Sequence, residues 1–380
     1  MTMAIIKTAL IGFGGMGRKY VEMIMAGKVA NMSLVGVVAR HDGARAHLAS
    51  LVEKYPNAPK VAVYESEDAM FENASDYDAV IIVTPHKTHE SIALRAFKLK
   101  KHVMCDKPAG ATIGEAMRMS EASKQADCIY GMIFHQRLYP KYNKIKELLN
   151  NGELGKLSRI MLVNSRYFRT KHYHDSGSWR SSFSGEGGGA LINQGAHILD
   201  IWQWLFGMPK TVYADIPFGK YNDFEVDDEA TIMMRYADDL TAVFMLTTGE
   251  AIWQERLEIT GTKGKILLED DKLCIYRYSV DSNEYIKNAD TNSREGLSYE
   301  EEVIQFEKAI EPYEPMLYNF AEAVINNDPT HLIAPGSEAV NQLMLTNAAY
   351  YSAWLGENVE LPIDENKYDR LLKEACQREN

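Results

Sequence analysis

Apolar residues in the first third of the chain fall in short unbroken runs instead of alternating with polar ones. Residues 5–11, 34–38, 61–64, 79–83 and 102–105 each form such a run, the pattern of parallel strands covered on both faces. Helical patterns lie between them, for example at 43–54 behind Asp42 as predicted N-cap and at 89–99. This order predicts a doubly wound parallel sheet with right-handed crossovers. After about residue 134 the rhythm changes. A helix is predicted at 140–150, stopped by Gly152 and Gly155. Residues 158–168, 230–236, 240–247, 257–260, 265–268 and 272–276 then alternate apolar with polar, and turn signals such as 237–239 and 261–264 separate several of them. That pattern predicts a large, open, mainly antiparallel sheet with one packed face and one free face. A second subunit is the expected cover, giving a homodimer or homotetramer. Residues 281–298 are polar and irregular and read as a loop, and helical patterns return at 315–326 and 337–355. The chain thus divides into an α/β domain at 1–133 and an α+β domain for substrate binding and association at 134–380, whose last helix is able to pack back on the first.

Composition narrows the function classes. A chain of 380 residues, 46% hydrophobic and 25% charged, suits two globular domains with real cores. No stretch approaches the ~20 apolar residues of a membrane span. The opening run 3–6 is broken by Lys7 and followed by a glycine turn, so it reads as a first strand and not as a leader. Four scattered cysteines without a C-x-x-C pair point to reduced thiols, a cytoplasmic setting and no zinc site. A net charge of −12 argues against a nucleic-acid partner. The acidic runs 223–229 and 300–302 are expected to be solvated loops or helix starts.

Gly12-Phe13-Gly14-Gly15-Met16-Gly17 fits G-x-G-x-x-G directly after the first strand and opens a helix, which is the context that makes the motif a Rossmann dinucleotide site. Gly12 allows the tight turn, Gly14 admits the pyrophosphate, and Gly17 lets helix and strand pack closely. An acidic residue at the end of the second strand would bind the ribose 2′-hydroxyl of NAD. Here Ala39 and Arg40 stand there, leaving room and a cation for the 2′-phosphate of NADP. NADP is therefore favoured over NAD, the competing reading being a solvated Arg40.

Two further clusters carry candidate chemistry. Asp106-Lys107-Pro108 ends the fifth strand, and ligands of open α/β sheets bind outside the carboxyl ends of strands. Asn193 and His197, at i and i+4 behind Gly187-Gly188-Gly189, share a face if one helix covers both. A histidine on an apolar helix is ordinarily a core residue, but the three glycines permit close backbone approach and favour function. Histidine suits removal of an alcohol proton, and a lysine suits a developing alkoxide.

These residues resemble the Gfo/Idh/MocA family of oxidoreductases, which includes glucose-fructose oxidoreductase and inositol dehydrogenases. The likeness spans the glycine fingerprint, Thr84-Pro85-His86-Lys87-Thr88-His89, Lys107-Pro108, Gln136-Arg137, residues 151–155, Trp179-Arg180, residues 187–200 and residues 261–264. It implies a dehydrogenase or reductase of a sugar or polyol, with Lys107 positioning cofactor and substrate hydroxyl and His197 as acid/base. Asn193 joins them as a candidate catalytic residue. Cofactor contacts are expected from the fingerprint, Ala39, Arg40, Thr84, Pro85, His86, His89, Asp106, Lys107, Gln136, Trp179 and Arg180. Three departures stand out: Asp106 where glutamate is common, Asn193 where aspartate is common, and His86 where asparagine is common. The first two leave open a different proton path.

The segment 166–175 mixes aromatic and hydrogen-bonding side chains as a carbohydrate site would, although a strand running into a polar loop has the same composition. Tyr167, His172, Trp179 and Arg180 are candidate substrate or nicotinamide contacts beside Lys107, Asn193 and His197. The cations there also suit an acidic sugar. Two other functions share these motifs: a glycosidase-like enzyme oxidising its substrate transiently with held NAD, and a non-catalytic dinucleotide sensor or scaffold.

Overall fold

The computed structural model describes residues 4–177, 179–308 and 310–379; Met3, which begins the opening apolar run, lies outside them. The chain forms two compact units, Met1–Arg137 with Glu311–Leu343, and Leu138–Ile310 with Met344–Asn380.

In the first unit β1 (Ile6–Ile11), α1 (Gly15–Met25), β2 (Met32–Val38), α2 (Asp42–Lys54), β3 (Ala62–Tyr64) and α3 (Glu67–Glu72) alternate. They are followed by β4 (Ala79–Ile82), α4 (His89–Lys98), β5 (His102–Cys105), α5 (Ile113–Ala126) and β6 (Tyr130–Met132). The strands make one parallel sheet in the order β3-β2-β1-β4-β5-β6. Every residue of β4 is buried, the consequence of helices on both faces. Helix α2 starts one residue earlier than expected. His41 is its N-cap, and Asp42 is a first-turn residue whose carboxylate pairs with Arg45 at 2.5 Å.

The second unit begins with α6 (Pro140–Asn150) and β7 (Leu157–Asn164). The strand stops at Asn164, short of the expected residue 168, because the Asn164 side chain accepts the Arg166 N–H at 3.2 Å and turns the backbone out of the ladder. Next come α7 (Lys171–His174), α8 (Ala190–Asn193), α9 (Gly195–Phe206), β8 (Thr211–Asp215), β9 (Glu229–Arg235) and β10 (Thr241–Thr247). Strands β11 (Glu255–Gly261), β12 (Gly264–Glu269) and β13 (Lys272–Tyr278) follow, then α10 (Ser282–Asn288) and β14 (Tyr299–Gln305). Helix α11 (Tyr313–Asn326) returns to the first unit; α12 (Ala339–Leu355) runs through the division, and β15 (Val359–Glu360) and α13 (Glu365–Arg378) close the second.

The second sheet has nine strands in the order β14-β13-β12-β11-β7-β10-β9-β8-β15. Only β7 and β10 run parallel; every other neighbouring pair is antiparallel. Strict alternation, as in β11, buries one face beneath α8 and α9. On that face the Trp202 and Phe244 rings meet edge-on at 5.7 Å, and each fully buried large side chain contributes roughly 1.5–3 kcal/mol.

Three expectations fail here for local reasons. The Glu300–302 run is no loop or helix start: it lies in edge strand β14, where exposed charges deter pairing with another chain. Asp227 and Asp228 are not solvated, because each buried carboxylate collects backbone N–H groups, described below. Within the expected loop 281–298, the Asp281 side chain caps the Asn283 and Glu284 N–H groups at 2.9 and 3.3 Å and starts α10.

Candidate active site

The glycine turn follows β1 directly. A Cβ on Gly12 would stand 2.3 Å from the Val83 carbonyl oxygen, and one on Gly17 would stand 2.0 Å from that of Gly12. The turn itself therefore requires both glycines. Gly14 and Gly15 are exposed, and nothing lies within 4 Å of where a Cβ would point. This open cradle at the start of α1, with its unsatisfied N–H groups, fits a pyrophosphate. Phe13 is buried with its ring 5.9 Å from that of His47, and Met16 is half-buried.

At the end of β2, Ala39 is fully buried while Arg40 is exposed and ion-paired with Glu67 of α3. Arg45 closes the turn by donating to the Ala39 and Arg40 carbonyls, each at 3.2 Å. After β4, Thr84 and Pro85 are half-buried, and His86 and His89 are buried. The His89 ring joins two loops. Its Nδ1 lies 2.8 Å from the Pro108 carbonyl and its Nε2 lies 2.7 Å from the Thr84 carbonyl. Burial pulls the His89 pKa down, against the pull of those carbonyls and of Asp106.

Asp106 and Lys107 follow β5, and the Asp106 carboxylate accepts the Lys107 backbone N–H at 2.9 Å. Burial pushes the Asp106 carboxyl above the usual range, opposed by Lys107 and His89. Gln136 is buried in the turn after β6. Gly12, Ala39, Thr84 and Lys107 thus stand at the carboxyl ends of β1, β2, β4 and β5, the edge where such sheets bind ligands.

The second unit holds the other candidates. Asp227 fixes the glycine-rich segment. Its carboxylate accepts the Gly189 and Leu191 N–H groups at 2.9 and 2.6 Å and the Tyr350 hydroxyl at 2.5 Å. A Cβ on Gly189 would meet the Asp227 carbonyl oxygen at 2.0 Å, so this glycine is required by packing. Burial raises the Asp227 carboxyl pKa against these donors. Asn193 ends α8, Gln194 keeps helical angles, and buried His197 lies in the first turn of α9. The i, i+4 pair is thus split between α8 and α9, which Gln194 joins.

The Asn193 amide nitrogen donates to the buried Glu186 carboxylate and, at 3.4 Å, to the Tyr173 hydroxyl. The same hydroxyl accepts from Gln194 at 3.0 Å and from Arg180 at 2.7 Å. Arg180 also lies 4.4 Å from the Trp179 ring centroid, and Arg169 lies 5.2 Å from that of Tyr167. One cluster thus gathers Trp179, Arg180 and Asn193, with Tyr167 joined through Arg169. His172 stays apart, exposed on α7. Sequence reasoning missed Tyr173 and Glu186 as individual site residues. Glu186 directly precedes the three glycines, the one local signal that could have marked it. Among the described residues no group of three His, Cys, Asp or Glu side chains is arranged to hold a metal ion, and no helix is long and apolar enough to cross a membrane.

A parallel sheet ending in a dinucleotide cradle, joined in one chain to a broad open sheet, is the build of an NAD-binding oxidoreductase. Residues 6–134 match the oxidoreductase family with an NAD-binding Rossmann fold, and residues 142–267 match the GFO/IDH/MocA C-terminal domain. The chain belongs to the GFO/IDH/MocA family. It is similar to a myo-inositol 2-dehydrogenase of Thermotoga maritima, 26% identical over 51% of this chain and 57% of that protein. A D-glucoside 3-dehydrogenase of Escherichia coli is 28% identical over 55% of this chain and 56% of its own length. The matched region thus spans less than two thirds of either relative. In fold it resembles the WlbA dehydrogenase of Chromobacterium violaceum, solved with NADH and UDP-GlcNAcA: TM-score 0.78, 21% identity, 96% of this chain and 98% of that one.

Proposed function

We propose that this protein transfers a hydride between a nicotinamide dinucleotide and a hydroxyl or carbonyl of a sugar, polyol or sugar derivative. The observation that carries this is Lys107, set at the end of β5 on the same edge of the same sheet as the glycine cradle. Oxidising an alcohol takes a hydride from carbon and a proton from oxygen; the nicotinamide, when bound, supplies the hydride acceptor. The chain's own side chains must manage the proton and the charge. The Lys107 ammonium stabilises a developing alkoxide, and the His197 imidazole takes or returns the proton. Asn193 replaces a charge with a dipole, and its amide, held by Glu186 and Tyr173, orients a substrate hydroxyl or the imidazole. Thr84, Pro85, His86, His89, Asp106 and Gln136 shape the nicotinamide end of the cofactor groove.

For the ribose we favour NADP. Ala39 leaves no carboxylate at the end of β2, and Arg40 supplies a planar cation that a 2′-phosphate takes over from Glu67. The open face of the nine-stranded sheet is assigned to a second copy of the chain. Tyr213, Met233, Val243 and Met161 lie side by side across four strands there, and Met233 and Met161 are 54% and 40% exposed.

The test is a panel of sugars, inositols and sugar acids, each offered with NAD and with NADP and followed at the nicotinamide absorbance band. Turnover of at least one, with higher kcat/KM for NADP, is expected. NAD preferred over NADP overturns the ribose assignment. Glycoside cleavage without net cofactor change would make the protein a glycosidase-like enzyme, and dinucleotide binding without turnover of any substrate would make it a sensor.

A further inference from the structure

Around Tyr173 the second unit gathers donors and cations without acceptors to match. The guanidinium carbons of Arg169 and Arg180 lie 4.3 and 4.6 Å from the centroid of its ring. Both arginines are half-buried, and among the described residues neither has a carboxylate within ion-pair distance. Buried cations are ordinarily paired, because removing a charge from water is expensive. The Arg169 Nε is itself buried with no hydrogen-bond partner. Its terminal nitrogen reaches only the Phe168 carbonyl, at 3.4 Å.

The hydroxyl of Tyr173 completes the imbalance. Arg180, Gln194 and Asn193 all donate to it, so its own proton points away from three N–H groups. No acceptor for that proton occurs among the described residues. The carboxylates nearby are engaged elsewhere. Glu186 takes the Asn193 amide and the Ser181 N–H; Asp228 takes the N–H groups of Lys220, Tyr221 and Asn222; Asp175 pairs with Lys171. His174 adds no negative charge: burial first, then the Arg169 and Arg180 cations, pull its pKa below the usual histidine range, against Asp228 and Asp175.

We infer that Arg169, Arg180 and the Tyr173 hydroxyl form a receptor for an anionic oxygen group on the substrate, so that the substrate is an acidic sugar derivative. An acceptor-only, negatively charged group is the one chemistry that satisfies both guanidinium forks and the phenolic proton together. Through Gln194 and Asn193 the receptor is tied to the start of the helix carrying His197. A carboxylate and a phosphate share this chemistry, and matched substrates separate them.

The experiment, resting on the dehydrogenase activity proposed above, compares glucose, glucuronate and glucose 6-phosphate with the intact protein. Turnover is followed with NADP and NAD, and binding is measured by calorimetry without turnover. One acidic sugar at least should exceed glucose by about tenfold or more in kcat/KM and in affinity, the worth of one charge-assisted contact. R169Q and R180Q, checked for folding by circular dichroism, should bring that ratio down towards one. Glucuronate alone gaining identifies a carboxylate, glucose 6-phosphate alone a phosphate. If glucose binds and reacts as well as both acids, or the ratio survives both substitutions, the receptor is wrong. If no sugar turns over, the dehydrogenase proposal fails while calorimetry still decides the receptor, because an acidic sugar binding no tighter than glucose overturns it.

Discussion

Lys107 and His197 are reached by different routes through the chain, one at a strand end and the other in α9, which follows the short helix α8 whose start Asp227 holds. The strand-end position of Lys107 was legible because a continuous apolar run marks β5. The helical setting of His197 was legible from the block it shares with its glycines. The partners of Asn193 were not legible, since Glu186 and Tyr173 lie 7 and 20 residues away and no local spacing marks them. Glu186 places a carboxylate beside position 193, where it accepts the Asn193 amide directly. If Lys107 and His197 carry the alkoxide and the proton, K107M and H197N should each lower kcat by at least ~10²-fold, the usual scale of an acid/base contribution. Melting temperatures should stay close to that of the parent chain. Rates within a fewfold of the parent in either variant would remove that residue from the reaction.

At the scale of elements, periodicity was the reliable guide. Continuous apolar runs became the parallel strands, buried except at edge strand β3, where Val63 is exposed, and alternating runs became the one-sided sheet. The misreadings came where a side chain overrides the pattern. Asn164 ends β7 early, Asp281 caps α10, and the glutamates of β14 are tolerated because an edge strand has solvent beside it. Charges on the open face also set a pH dependence. Glu258 on β11 pairs with Lys265 and Arg159, each at 2.9 Å, and Lys265 above all holds its carboxyl below the usual range. A depressed acid stabilises the fold above its unfolded pKa and loses that contribution as pH falls through the folded value. E258Q should therefore cost about 1 kcal/mol or less near pH 7. The difference from the parent chain should vanish in strongly acidic buffer, checked by denaturation at both pH values. A deficit that persists unchanged in acid would show that the carboxylate charge is not its source.

For the whole molecule, the sequence suggests a division near residue 134 with the last helix able to pack back on the first domain. Residues 311–343 group with the first unit, whereas the last helix, α13, groups with the second, a long-range choice that no local pattern encodes. The apolar row on the open sheet face predicts self-association. M161K combined with M233K should convert the parent oligomer to a monomer by light scattering, because a buried lysine pair meeting its copy is unpaired charge. A parent chain already monomeric at micromolar concentration would leave that face without its assigned partner.

The central claim is hydride transfer itself, and isotope transfer tests it most directly. The protein is incubated with the oxidised dinucleotide and sugars or inositols deuterated at their carbinol carbons, and the recovered cofactor is examined by mass spectrometry and NMR. One deuteron at C4 of the reduced nicotinamide is the predicted result. A cofactor that stays free of deuterium across the panel, whether glycosides are cleaved or the dinucleotide is merely bound, would contradict it.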